Sequence, residues 1–193
     1  MVCGDLAVFP IAPLLVWLEE NGHNPFYIAF DINILADDHF LASLSAIEDI
    51  LMIGYPIGLW DSKHNFPIVR QGITATPTYI DFNGKSEFVI DCACFPGSSG
   101  SPVLLYNFGG YTDRDGNTFQ GPSRIMLIGI LYAGPQHTAQ GEIHVMPIPT
   151  SVQPVAISRI PTNLGYCVKA VQLLHFEKHF QQVPPPAARA SSP

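Results

Sequence analysis

Charge is scarce in this chain, and positive charge scarcer still. Only 13% of the 193 residues are Asp, Glu, Lys or Arg; nine Lys and Arg stand against sixteen Asp and Glu, and no base precedes Lys63. With a net charge of −7 and no basic stripe, the chain lacks what is needed to neutralise a phosphate backbone, so nucleic-acid binding is not expected. Long apolar runs are missing too. None approaches the ~20 residues that a bilayer-spanning helix requires, and no membrane association is expected. Residues 6–18 could pass for a signal-peptide core, but no base precedes them, they contain Pro10 and Pro13, and they end in Glu19-Glu20 without a small-residue cleavage site. A cytoplasmic protein is the expectation. Cysteine is sparse: Cys3, Cys92, Cys94 and Cys167. The C-x-C pair would share one face of a strand, where a disulfide is strained, and the spacing matches no structural zinc pattern. Free buried thiols are expected, with no metal and no other cofactor.

What the chain has in quantity is apolar and turn-forming residues. Hydrophobic residues make up 47% of it, enough for a sizeable core and too many for global disorder. Sixteen Gly and eighteen Pro punctuate short segments, which favours an all-β fold. Strands are predicted over 5–9, 26–30, 50–55, 102–106 and 125–132. The last is an apolar run bounded by turn residues, as a buried strand would be. Leu14, Leu15 and Leu18 at helical spacing, followed by Gly22, predict a helix within 10–22; residues 36–47 fit neither period cleanly. Asn83-Gly84 between 76–82 and 85–92 predicts a type I′ hairpin. The polar stretch 109–123 reads as a surface loop, 168–180 as a terminal helix, and 183–193 as a disordered Pro/Ala/Ser tail.

The segment with the most chemistry is Gly97-Ser98-Ser99-Gly100-Ser101-Pro102, a glycine-rich turn between two β-like runs. A turn of this kind exposes a hydroxyl. With Ser99 as nucleophile, the backbone N–H groups of Gly97 and Ser99 can point into one concavity, forming an oxyanion hole, while Gly97 and Gly100 leave room for an acyl group. The α/β-hydrolase turn G-x-S-x-G does not fit, because Ser101 occupies its fifth position and no parallel βαβ alternation surrounds it.

Gly97-Ser-Ser99-Gly-Ser-Pro102 resembles the G-x-S-G-x-P nucleophile turn of trypsin-like serine peptidases, the chymotrypsin-fold class. Four further segments agree with that family in order and spacing. Asp5-Leu-Ala-Val8 resembles the strand carrying the triad aspartate; Gly54-Tyr-Pro-Ile-Gly58 and Gly72-Ile73-Thr74 resemble segments of bacterial HtrA-like members; Gly129-Ile-Leu-Tyr-Ala-Gly134 resembles the strand lining the primary specificity pocket. The likeness implies an antiparallel double β-barrel with a C-terminal helix. The first barrel would be incomplete, with residues 1–60 as its remnant carrying Asp5 and residues 61–182 as the second barrel. It further implies Ser99 as nucleophile, Asp5 as the residue orienting a histidine, and a substrate pocket formed by Ala93, Tyr132, Ala133 and Gly134. Ala93 at the pocket floor implies preference for a small or apolar residue in a peptide or protein substrate. Ser98 stands where animal digestive relatives have an Asp that pairs with a newly cleaved amino terminus, so activation by that route is not expected.

The chain departs from the family at the base. Histidine precedes aspartate in this class by about 45 residues, and only four residues precede Asp5, so the base is expected upstream of Met1. His23, His39, His64, His137, His144, His175 and His179 occur in no matching motif. Without a base the hydroxyl is a weak nucleophile, and the chain alone is expected to be nearly inactive. A noncatalytic binding module on the same fold and a serine esterase are the alternatives. An interrupted first barrel would also leave unpaired strand edges through which copies self-associate.

Overall fold

The computed structural model describes residues 6–139 and 158–176. Its centre is a closed antiparallel barrel of six strands, and two small two-stranded sheets lie outside it. In chain order the elements are α1 (Ala12–Glu20), α2 (Asp38–Ser43), β1 (Asp49–Gly54), β2 (Ile68–Thr74), β3 (Glu87–Asp91), β4 (Pro102–Asn107), β5 (Gly110–Thr112), β6 (Thr118–Gln120), β7 (Arg124–Ala133), β8 (Gln136–Ala139), β9 (Ser158–Pro161) and β10 (Leu164–Lys169), with a short 3-10 helix at Ala170–Leu173. The barrel runs β1-β2-β3-β10-β7-β4 and closes where Ile50 of β1 meets Leu105 of β4. Each barrel strand has a partner on both sides, though β2 meets β3 only at Ile73 and Thr74. β1 lies upstream of residue 61, so the barrel begins within the stretch expected to belong to a first barrel. Among the described residues no helix is long and apolar enough to cross a membrane.

The barrel follows from side-chain alternation. In β1 Ile50, Met52 and Gly54 face inward while Asp49 is exposed. The interior is filled by Ile50, Met52, Phe88, Ile90, Val103, Leu105, Ile128 and Cys167, each inaccessible to solvent. Phe88 fits because Gly129 on β7 carries no Cβ: one built there would lie 2.7 Å from the Phe88 ring and 2.8 Å from the Val168 carbonyl. Cys92, Cys94 and Cys167 are free and buried.

Residues 34–48 pack against the barrel. Ala36, Leu41 and Leu44 join the core, and the Ala36 N–H donates to the Leu127 carbonyl at 2.9 Å. A buried ion pair fixes the segment's exit: Arg124 donates to Glu48 at 3.2 Å and stacks 3.6 Å from the centre of the Tyr111 ring. The Glu48 N–H donates to the Thr74 hydroxyl, which itself donates to the Ala46 carbonyl.

Several sequence expectations change here. No strand forms over 6–9 or 26–30, and residues 6–48 supply no second barrel; among the described residues no strand pairs with 26–30. Asn83 (φ 53°) and Gly84 (φ 73°) do adopt the paired left-handed conformation of a type I′ turn, but 76–82 is not a strand. Pro77 has no N–H to give a ladder, and β3 is committed to β2 and β10 instead. The loop 109–123 contains the β5–β6 hairpin. Val168 and Lys169 belong to β10, Val168 pairing with both Ile130 and Glu87, so the C-terminal helix starts later than 168: the 3-10 turn Ala170–Leu173 leads into α-helix at 174–176, and 177–180 lie outside the described residues. The tail 183–193 lies outside the described residues.

Candidate active site at the Ser99 turn

The turn between β3 and β4 is held by backbone hydrogen bonds from three sides. Gly100 N–H donates to the Leu131 carbonyl at 2.7 Å, and Leu131 N–H donates to the Ser101 carbonyl at 2.9 Å, tying the turn to β7. Ile57 N–H donates to the Pro96 carbonyl at 2.6 Å, and within the turn Ser101 N–H donates to the Ser98 carbonyl at 3.1 Å. These last two bonds decide where the candidate oxyanion donors point. A peptide unit is planar, so pinning the Pro96 carbonyl fixes the Gly97 N–H opposite it, and pinning the Ser98 carbonyl fixes the Ser99 N–H. Neither N–H has an acceptor among the described residues. They are two oriented donors with hydrogen-bonding capacity to spare.

Gly97 and Gly100 both sit at φ +87°, where a side chain is strained. At Gly97 space is also short: a Cβ would lie 3.0 Å from the Tyr55 carbonyl and 3.2 Å from Ile57 N, whereas at Gly100 it would meet nothing. Ile57 itself is at φ 46°, an unfavourable conformation for a β-branched residue, with its side chain 70% exposed.

Ser99 is exposed, and its hydroxyl donates to the Tyr132 carbonyl at 2.9 Å. It stands between two hollows. The first, of about 250 Å³, is lined by Cys94, Phe95, Pro96, Leu131, Ala133, Gly134 and Pro135 together with Ser99, and none of these described residues is charged. Gly134 is packed against β10, since a Cβ there would lie 2.8 Å from the Leu164 carbonyl. The second, of about 290 Å³, is lined by Leu6, Ala7, Gly100, Ile130, Tyr132 and Leu173 among others, again with Ser99.

Of the residues predicted to form the site, Ser99, Gly97, Ala133 and Gly134 are brought together. Asp5 lies outside the described residues; its chain neighbours Leu6 and Ala7 border the second hollow beside Ser99. Ala93 does not line the first hollow, where Cys94 stands instead; its carbonyl accepts a hydrogen bond from the Arg70 guanidinium. Tyr132 borders the second hollow rather than the first, and its hydroxyl donates to Glu87 at 2.9 Å. Burial pushes the Cys94 thiol up to about 11, with Cys92 adding to the shift, so Cys94 lines its hollow as a neutral group.

No described histidine ring bonds to Ser99. His64 bonds the Asp61 carboxylate at 2.8 Å on the surface, which lowers the Asp61 pKa, and His175 bonds the Gln172 carbonyl. The side chain of His137 and all of His144 and His179 fall outside the description. Sequence reasoning missed Arg70, whose Nη2 donates to the Ser98 hydroxyl at 2.7 Å. Its only signal was position, two residues before Gly72. No protein-family profile matches the chain, and no curated protein sequence is significantly similar to it.

Proposed function

We propose that this chain carries the nucleophile half of a trypsin-like serine endopeptidase site. The observation that supports it most is the pair of acceptor-free amides, Gly97 and Ser99, beside an exposed Ser99 hydroxyl at the mouth of an uncharged hollow. In this reading Ser99 Oγ attacks a peptide carbonyl as a base takes its proton, the carbonyl oxygen becomes an oxyanion held by the two N–H groups, and the C–N bond then breaks, the amine leaving with that proton and the acyl group staying on Ser99. The first hollow receives a small or apolar substrate residue, for its described lining offers no charge to pair with Lys, Arg, Asp or Glu. The chymotrypsin-like double barrel and the orienting role of Asp5 belong to this same proposal.

Turnover also needs a proton acceptor for Ser99, and the hydroxyl is bonded to the Tyr132 carbonyl. A carbonyl does not take that proton, so the chain alone should be a poor catalyst. That bond also favours the second reading, a noncatalytic binding protein on the same scaffold.

Labelling with a fluorophosphonate separates the two. Under the peptidase reading the chain is labelled slowly, faster with millimolar imidazole as an external base; Ser99→Ala abolishes the label and Ser101→Ala does not. A chain that stays unlabelled with imidazole present removes the peptidase reading, and label surviving Ser99→Ala removes the assignment of the nucleophile.

A further inference from the structure

We propose that Arg70 is the positioning residue that holds the Ser99 turn in its working shape, so that the turn is assembled from within the folded chain and needs no cleavage-generated amino terminus. This rests on the reading of Ser99 as nucleophile.

Arg70 stands on β2, opposite Met52 in the ladder with β1. One guanidinium nitrogen donates to the Ala93 carbonyl and another to the Ser98 hydroxyl, so a single planar cation clasps both ends of the segment 93–98. Ser98 is 1% exposed and sits between the two residues whose amides are the candidate oxyanion donors. All its polar groups are committed: its N–H donates to the Phe95 carbonyl, its carbonyl accepts from Ser101 N–H, and its hydroxyl accepts from Arg70. The Ser98 hydroxyl ties the turn to β2, as the Ser99 hydroxyl ties it to β7. Turning the peptide between Ser98 and Ser99 would break the bond from Ser101 N–H to the Ser98 carbonyl and swing the Ser99 N–H away from the site; Arg70 anchors the Ser98 side chain from which that peptide departs.

The arginine is also costly to keep. Its Nε is buried without a partner among the described residues, a penalty that an apolar side chain of similar length would avoid. A role in packing alone gives no reason for it.

The test uses Arg70→Met, Arg70→Lys, Ser98→Ala and the double variant Arg70→Met/Ser98→Ala in the full chain. Imidazole-assisted fluorophosphonate labelling of Ser99 and the backbone amide NMR resonances of Gly97 and Ser99 are read for each. Arg70→Met should slow labelling at least tenfold and shift both resonances, Arg70→Lys should recover part of the rate, and the double variant should be no slower than Arg70→Met alone. Full additivity in the double variant, or wild-type labelling in Arg70→Met, overturns the role. Should Arg70→Met fail to fold, Arg70→Lys and Ser98→Ala carry the comparison, and unchanged Gly97 and Ser99 resonances in both overturn it. Failure of the nucleophile reading looks different: wild type is then unlabelled, while the resonances still report whether Arg70 shapes the turn. A chain with an amino-terminal tag should be labelled as fast as the untagged chain, and acceleration on tag removal would overturn the internal assembly of the site.

Discussion

Residues 6–33 and the barrel are built from similarly apolar sequence, yet they end in opposite places. Phe88 on β3 is fully buried, whereas Phe26 is 86% exposed; Leu41 is fully buried in α2, whereas Leu14 in α1 is 53% exposed. No residue of α1 is buried at all. The difference lies in partners rather than composition. Each barrel strand has a partner on both sides and its inward side chains are covered, while among the described residues α1 and 26–30 have no second layer to press against. Hydrophobicity alone decides that a residue gains by burial; topology decides whether burial is on offer.

The sharpest way to probe this contrast is truncation. Phe88→Ala should lower unfolding free energy in urea by about 3–5 kcal/mol, because the ring fills space that Gly129 keeps open and the rigid ladders around it cannot close. A loss below about 1 kcal/mol would mean that the barrel is far softer than its packing indicates. Next come the two glycines of the Ser99 turn. Both substitutions place a side chain at φ +87°, but only Gly97→Ala also presses it on the Tyr55 carbonyl, so Gly97→Ala should cost about 2–3 kcal/mol and Gly100→Ala about 1 kcal/mol. Equal losses on thermal unfolding would show that crowding by Tyr55 is not felt.

A smaller effect of opposite sign is expected at Ile57. Its side chain is mostly in solvent and its backbone is left-handed, so Ile57→Asn should stabilise the fold by up to about 1 kcal/mol; a destabilisation would reveal a contact that its exposure hides. The thiols give a pH signature. Burial raises Cys94 from 9.0 to about 11, and Cys92 and Cys167 shift the same way. Between those values the folded state keeps a proton that the unfolded chain releases, so stability is complete below pH 9 and falls as pH climbs towards 11. Cys94→Val should make that fall shallower in denaturation curves taken across the window, and an unaltered slope would put the burden on the other two thiols. Smallest of all, Leu14→Ser and Phe26→Ser should change stability by less than about 0.5 kcal/mol; a loss comparable to that of Phe88→Ala would erase the distinction between the regions.

The parts legible in the sequence are those whose signal is local. The runs at 50–55, 102–106 and 125–132 became β1, β4 and β7 because alternation and apolar content suffice when a partner strand exists. The Ser99 turn was legible because glycines at 97 and 100 announce a backbone that other residues resist. The run 26–30 has the same β-forming composition and failed, since nothing in those five residues says whether a neighbour is available. Asn83-Gly84 gave the right bend and the wrong element, because Pro77 and the competing claims of β2 and β10 act from outside the dipeptide. Ala93 was assigned to the pocket by counting back from Ser99, but Cys94 lines it. Arg70 was invisible for a further reason: its bonds to Ala93 and Ser98 cross from β2 to a segment more than twenty residues later, and only the closed ladder brings them together.

That closure also sets an order of events. Its pairings are remote in sequence, Ile50 with Leu105 and Glu87 with Val168, and such loops are slow to shut. The clasp on Ser98 comes from the second strand, the prop under Pro96 from the 55–58 bend and the tie at Gly100 from the seventh strand, so the two amides can take aim only after the whole ring has joined. A partly folded chain can hold every residue of the turn without its shape, which makes the geometry around Ser99 a late reporter of a finished molecule.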